Sequence, residues 1–334
     1  MNLKNSTAPA IPTKGMPRQE WLEARRSGIG GSDIAALMGV SEYNNAYDIY
    51  KSKVNPVLET KEENEAAEWG HLQEPIIAKQ FELKTGLKTQ NINFIMRHPD
   101  TSFAIANIDR AIVNPEIAGN VRFKDGRLTT DEILEVKTAS EYLASDWGDE
   151  DTDEVPDQYQ CQGQWYLYVT NAKRCYIAVL IGGNKFRRYI VERNDDLIEV
   201  LVDVARTFWE DHVLAGVAPE PITLENAKDR WRKCNPDTTL DLSSSDIEAI
   251  ALLARYKKLK RLSKKVEEAT DEAQKNLICL IKANETLRID EKVVVTYKAS
   301  ETNRLDSKEF KKDYPDLAKQ YIKTTTGRTM RVKK

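Results

Sequence analysis

The chain has 334 residues, 40% apolar and 31% charged, and a formal net charge of −3. That length gives one large or two ordinary domains with core enough to fold without a disulfide or metal staple, and the composition excludes a disordered chain. The longest apolar runs, such as Tyr176–Ile181, fall far short of the roughly 20 residues of a bilayer helix, so no membrane association is expected. The opening MNLKNSTAPAIPTKG has no apolar h-region, and no secretory signal is expected. The cysteines (Cys161, Cys175, Cys234, Cys279) form no CxxC pair, and His71, His98 and His212 share no ligand spacing. Disulfide frameworks and zinc sites are therefore disfavoured, and a reduced, cytoplasmic protein is the default expectation.

In chain order, the first informative stretch is Glu68–Pro75, which opens into a helical pattern at Ile76–Phe81. Glu74 stands at that junction, either as a site acid or as a helix-surface carboxylate. Phe103–Val113 reads as an apolar strand interrupted by Asp109. A charge in such a run is either exposed on an edge or deliberately paired. Lys124-Asp125-Gly126 marks a turn, so a hairpin or near-hairpin brings Asp109 beside the next strand, Ile133–Thr138. There Leu134 and Val136 point to one side, and Glu135 and Lys137 to the other. Other acid-x-lysine triplets, such as Glu82-x-Lys84 and Asp290-x-Lys292, lack the apolar flanks of a core strand. A carboxylate beside an ammonium suits phosphodiester hydrolysis: the acid binds a divalent cation, and the lysine positions or deprotonates water. The bland reading is a strand-edge ion pair. Two carboxylates with a lysine select Mg²⁺ or Mn²⁺ over zinc.

The acidic segment Asp146–Glu154 is either a metal-attracting rim or a solvated, mobile loop. Val155–Tyr166 follows, with Gln162 able to hydrogen-bond a phosphate or a water, or simply to face solvent. Asp195–Val213 predicts a helix with Leu197, Val200, Leu201, Val204 and Phe208 on one face. Pro-containing breakers at 218–222 and 234–239 mark a boundary. Charge changes sign there. Residues 1–220 hold 24 Lys and Arg against 35 Asp and Glu, a net of −11, whereas 221–334 hold 26 against 18, a net of +8. The halves are read as a core, 1–220, and a basic extension, 221–334. In the extension a helix over about 245–283 carries an apolar stripe that packs either within the chain or on another subunit. Its basic stretch, Lys257–Lys265, is either a phosphate-contacting stripe or a face of i,i+4 pairs. A short strand, Lys292–Lys298, and a basic tail with aromatics complete the chain.

Five segments in this order resemble the YqaJ-type viral recombinases, relatives of lambda exonuclease in the PD-(D/E)xK nuclease superfamily. They are Trp21-Leu-Glu-Ala-Arg25 through Gly30-Gly31-Ser32-Asp33, Gly70-x-x-x-Glu74-Pro75, Asn107-Ile108-Asp109-Arg110, Leu134-Glu135-Val136-Lys137, and Pro156-x-x-Tyr159-x-x-Gln162-x-Gln164. The resemblance implies an α/β (α+β) restriction-endonuclease-like core, a central mixed sheet flanked by helices, followed by the long-helix and small-strand extension. It implies Asp109, Glu135 and the Val136 carbonyl as ligands of Mg²⁺ or Mn²⁺, with Glu74 as an accessory acid. Lys137 orients water, and Gln162 stands beside the metal site. Arg25 and Ser32 hold DNA phosphate, including a terminal 5′ phosphate, and Tyr159 and Gln164 belong to the DNA-contacting set. Gly28, Gly30 and Gly31 fit a backbone that approaches a phosphate, or a plain helix start capped by Ser32. The implied activity is 5′→3′ digestion of linear double-stranded DNA. The implied partners are DNA, a single-strand annealing protein and further copies of the chain.

Overall fold

The computed structural model describes residues 8–56, 65–116, 120–322 and 327–332. The chain divides into two compact units, Met1–Arg230 and Trp231–Lys334. The first begins with β1 (Ala10–Pro12), α1 (Arg18–Arg25), α2 (Gly31–Leu37), α3 (Ala46–Val54) and α4 (Glu65–Thr85). Short strands follow: β2 (Thr89–Asn91), β3 (Phe94–Arg97), β4 (Ile105–Ala106), β5 (Arg110–Ile112), β6 (Phe123–Lys124) and β7 (Arg127–Leu128). Then come β8 (Glu132–Ala139), α5 (Asp157–Thr170), β9 (Arg174–Ile181), β10 (Lys185–Glu192), α6 (Asp195–Phe208) and α7 (Leu224–Arg230).

The main sheet has the order β10-β9-β8-β5-β2. β8 and β9 run parallel in full register, and α5 supplies the crossover such a pair requires. The other pairings are antiparallel, so the sheet is mixed. On one face Ile77, Ala78 and Phe81 of α4 pack with Leu134, Val136 and Tyr176. On the other, Ile34, Trp165, Leu167, Ile198 and Leu201 pack with Ile133, Cys175 and Ile177. This is the expected sheet flanked by helices. The period-2 alternation of β8 sends Glu135 to the α5 face, away from Leu134 and Val136.

Three expectations need correction. Phe103–Val113 is not one strand: it breaks at Asn107–Asp109, so β4 joins a sheet of order β1-β3-β4 while β5 joins the main sheet. The break leaves Asp109 at the mouth of β5, free of the ladder. The helix read from Ile76 begins at Glu65 and runs through Gly70 and Pro75. In α6 the buried face is Ile198, Leu201, Val202, Ala205 and Phe208, with Val200 turned to solvent, and a π-helical turn, Trp209–Leu214, extends it. The first compact unit runs to Arg230, between the two Pro-containing breakers, because α7 is tied to α3. The Asn226 amide donates to Asp48 Oδ1 at 3.0 Å, and Lys51 pairs with Asp229 at 2.8 Å.

The second unit holds α8 (Ile247–Ile281), β11 (Thr286–Ile289), β12 (Lys292–Thr296), α9 (Ser307–Asp313) and α10 (Pro315–Gln320). β12 matches the expected strand and pairs with β11 as a hairpin. Its turn residues, Asp290 and Glu291, take φ of 49° and 65° without the usual Asn-Gly signal, which hid β11 from the sequence. Among the described residues no helix is long and apolar enough to cross a membrane.

Candidate active site

β5 pairs with β8 through Arg110↔Leu134 and Ala111↔Ile133, which brings Asp109 level with the Glu135–Val136 step. Asp109 Oδ2 accepts the Val136 N–H at 2.8 Å. Glu135 is buried, and its Oε1 accepts from Lys137 Nζ at 2.7 Å and from Gln162 Nε2 at 2.6 Å. Glu135 Oε2 is buried with no hydrogen-bond partner. A buried carboxylate oxygen left in this state is costly unless a cation completes it. Burial, and then the Glu135 carboxylate beside it, push the Asp109 carboxyl up to about 7. Burial works against the Lys137 ammonium, but Glu135 and Asp109 outweigh it and hold the group charged above its ordinary value. In this state Lys137 suits orienting a water, not deprotonating it.

Two repelling carboxylates and an orphaned buried oxygen could hold a hard cation. Among the described residues no group of three or more His, Cys, Asp or Glu side chains is placed to hold a metal ion together. Glu74 reaches the neighbourhood but pairs with Arg110 at 2.5 Å. Burial, then the Asp109 charge, raise the Glu74 carboxyl, with Arg110 opposing.

Asp109, Glu74, Gln162, Arg25, Ser32 and Tyr166 line one cleft of about 470 Å³. Arg25 Nη2 donates to Ser32 Oγ at 3.0 Å, and the Arg25 guanidinium lies 4.9 Å from the Trp21 ring centroid. Beneath them, buried Lys53 donates to Asp33 Oδ2 at 2.7 Å and to the Arg25 carbonyl at 3.1 Å. Burial opposes the charge on Asp33, but Lys53 and then Arg25 prevail and lower its pKa. Breaking this buried pair leaves Asp33 largely uncompensated. Lys53→Met is expected to cost about 3 kcal/mol in urea denaturation, well beyond a surface substitution.

The glycines serve the fold here. A β-carbon on Gly31 would lie 2.6 Å from the Tyr166 ring and 2.8 Å from Gln162 Cγ, so only glycine lets α2 lie against α5 at the site. Gly28 similarly faces the Phe103 carbonyl at 2.5 Å.

The structure gathers Glu74, Asp109, Glu135, Lys137 and Gln162; Glu74, Asp109 and Gln162 line the cleft together with Arg25 and Ser32, whereas Glu135 and Lys137 join it only through their bonds to one another and to Gln162. Tyr159 stands apart from that cleft. Lys137 Nζ lies 5.0 Å from its ring centroid, and Trp147 stacks on it at 5.4 Å. Gln164 departs from its implied role. It is fully buried and spends its amide on the Glu192 carbonyl (2.7 Å) and the Asn194 N–H (2.9 Å), locking α5 to the β10–α6 junction. The acidic segment is no rim of this cleft: Asp151 pairs with Arg188, and Thr152 accepts from the Ile190 N–H. Sequence reasoning gave no role to Tyr166, whose hydroxyl accepts from Gln162 Nε2 at 3.0 Å. Burial, then the Glu135 and Asp109 charges, push its phenol far up, so it stays neutral. Its i+4 spacing from Gln162 was the available signal. Lys53 gave none, since a buried lysine reads like a surface one.

The chain belongs to the YqaJ-like viral recombinase family. The domain of that description matches residues 20–173, the stretch from Trp21 to the end of α5. The uncharacterized protein YqaJ of Bacillus subtilis (strain 168) is 33% identical over 324 residues, covering 95% of each chain. Among solved structures, an alkaline exonuclease from Laribacter hongkongensis aligns with a TM-score of 0.44 at 17% identity, over 60% of this chain and 94% of that one. A phage related exonuclease from Haemophilus somnus 129PT aligns with a TM-score of 0.36 at 13% identity, over 57% and 96%.

Proposed function

We propose that this chain is a divalent-cation-dependent DNA nuclease, an exonuclease that digests linear duplex 5′→3′ and leaves 3′ single strands for phage-type recombination. The observation that carries this reading is the orphaned, buried Glu135 Oε2 facing the site shared with Asp109, beside the charged Lys137. Asp109, Glu135 and the Val136 carbonyl would hold the ion, Mg²⁺ with Mn²⁺ as substitute. The ion would supply Lewis-acid stabilisation of the charge that develops on the phosphoryl oxygens. Lys137 donates a hydrogen bond to the attacking water and balances the two acids. Gln162 holds Glu135 in place from α5, and Tyr166 in turn fixes Gln162. Arg25 and Ser32, with their donors at one end of the cleft, receive the terminal 5′ phosphate. Arg25 is also stacked on Trp21, which limits its rotamers and favours a fixed fork.

Hydrolysis adds water across the P–O3′ bond, so the released nucleotide leaves with a 3′-hydroxyl and the shortened strand keeps the phosphate as its new 5′ terminus. A single-strand annealing protein receives the exposed 3′ strand, and a closed homo-oligomer keeps the nuclease on its duplex. The work is done in the bacterial cytoplasm on behalf of a phage or prophage. Digestion of strand-labelled linear duplex against covalently closed circles tests the exonuclease reading. Loss of the 5′-ended strand of the linear form alone is expected, and cutting of circles makes the protein an endonuclease. Arg25→Ala is expected to slow digestion of 5′-phosphorylated ends about tenfold more than of 5′-hydroxyl ends. Equal slowing on both ends would assign Arg25 to general positioning.

A further inference from the structure

The long helix of the second unit carries a seam that the nuclease reading does not use. Leu252, Leu259, Val266, Ala273 and Leu280 recur every seven residues along α8, and a second set from Ala249 to Leu277 recurs at the same interval, three residues earlier. Together they form five heptad repeats, the pattern of a helix packed on another helix. Yet Ile281 is the buried residue of α8, and the seam lies open: Leu259 is 53% exposed, Val266 65% and Leu280 63%. At 35 residues the helix is far longer than the roughly 12–15 at which isolated helices are marginal.

Charge along the same helix selects what covers it. Residues 255–265 hold seven basic side chains and no acid, and residues 267–272 hold four acids and no base. Few of these charges are neutralised locally, Lys264 with Glu268 at 3.7 Å being one pair. A parallel pair of copies would set basic stretch on basic stretch and Arg255 across from Lys260 of the other copy. An antiparallel pair sets the basic stretch of each copy on the acidic stretch of the other. Seam volumes agree with that direction in four of the five layers. When Ser263 meets Val266 of the second copy, Thr270 meets Leu259, Tyr256 meets Ala273 and Ala249 meets Leu280, a small or polar residue against a larger one each time, and Leu277 meets Leu252 in the fifth. In the same register Lys260 flanks Glu267 of the second copy, twice by symmetry.

We propose that α8 is a self-association surface, on which a second copy of this chain docks antiparallel with its register centred between Ser263 and Val266. The surface stands independently of the nuclease reading, since its residues belong to the second unit. The test is sedimentation of the full chain across the micromolar range. The protein is expected to dimerise, and Leu259→Asp, at a solvent-facing position that folding tolerates, is expected to abolish the dimer. Lys260→Glu turns two attractions into repulsions and is expected to weaken the dimer about tenfold. Lys260→Glu with Glu267→Lys restores the pairing and is expected to return affinity to within about twofold. A wild-type chain that stays monomeric at about 50 μM would overturn the proposal, as would association indifferent to both Leu259→Asp and Lys260→Glu. A single swap that weakens the dimer without rescue by the double swap would overturn the antiparallel register.

Discussion

Lys137→Met is expected to slow cleavage of linear duplex about 10³-fold while leaving divalent-cation binding in place. The ammonium is held charged by Glu135 and Asp109 and is 2.7 Å from Glu135 Oε1, so its loss removes a water-orienting donor and a balancing charge together. Cation binding persists because the carboxylate oxygens remain. It is expected to tighten slightly, since a competing positive charge has gone. Stability falls by roughly 3 kcal/mol, because Glu135 is left buried with one neutral donor, the Gln162 amide. Lys137→Arg is expected to rescue stability but little of the rate, because a planar fork places its donors differently from a point ammonium. Single-turnover kinetics with calorimetric Mn²⁺ titration separate these effects. A variant that loses cation binding and rate in equal proportion would make Lys137 a support of the ligands instead of a participant.

Asp109→Asn is expected to raise the stability of the metal-free protein at pH 8 and to leave it unchanged near pH 4. The sign follows from linkage. The folded carboxyl titrates at about 7 against an ordinary 3.8, so between those values the native state binds more protons than the unfolded one. Native stability from this group is therefore present at low pH and declines as pH rises through that window. With partial solvent access the decline is roughly 2 kcal/mol, a few degrees in melting temperature. The asparagine cannot ionise, and the amide oxygen still accepts the Val136 N–H, so the decline disappears. Thermal melts in EDTA from pH 5 to 8.5 check this, with a flatter profile expected for the variant. The same proton competes with a cation, so wild-type cation affinity is expected to fall on acidification below about pH 7.

Much of this site was legible in the sequence because it sits on a strand with period 2. Apolar Leu134 and Val136 face α4, so Glu135 and Lys137 had to face the other way, and the antiparallel β5–β8 pairing sets Asp109 beside them, whereas the Asp125-Gly126 turn closes its own small sheet, β6–β7. Gln162 came to the site through the family resemblance alone, since its own sequence context left phosphate, water and solvent open as partners. What failed did so for tertiary reasons. A single apolar run served two sheets because it bends at Asn107–Asp109, and strand propensity does not register a change of partner. Gln164 was misassigned because a glutamine that caps buried backbone and one that meets a ligand look alike in sequence. Val200 was placed on the buried face of α6 because hydrophobicity alone does not say which side meets the core. Gly28 and Gly31 also admit the Phe103 carbonyl and α5, a packing demand that no local motif announces. The helix of α8 forms where its apolar pattern predicts, but the stripe lies exposed, and sequence pattern alone does not say what covers it.

The most direct measurement is cleavage of end-labelled linear duplex by pure protein in Mg²⁺ and in EDTA, for wild type and Glu135→Gln. The glutamine keeps the volume and removes the charge that Lys137 and Gln162 now hold in place. Cleavage by wild type in Mg²⁺, none in EDTA, and a loss of about 10³-fold or more in folded Glu135→Gln is the predicted result. Wild-type cleavage that persists in EDTA, or that survives in Glu135→Gln, would contradict a cation-dependent nuclease centred on Asp109, Glu135 and Lys137.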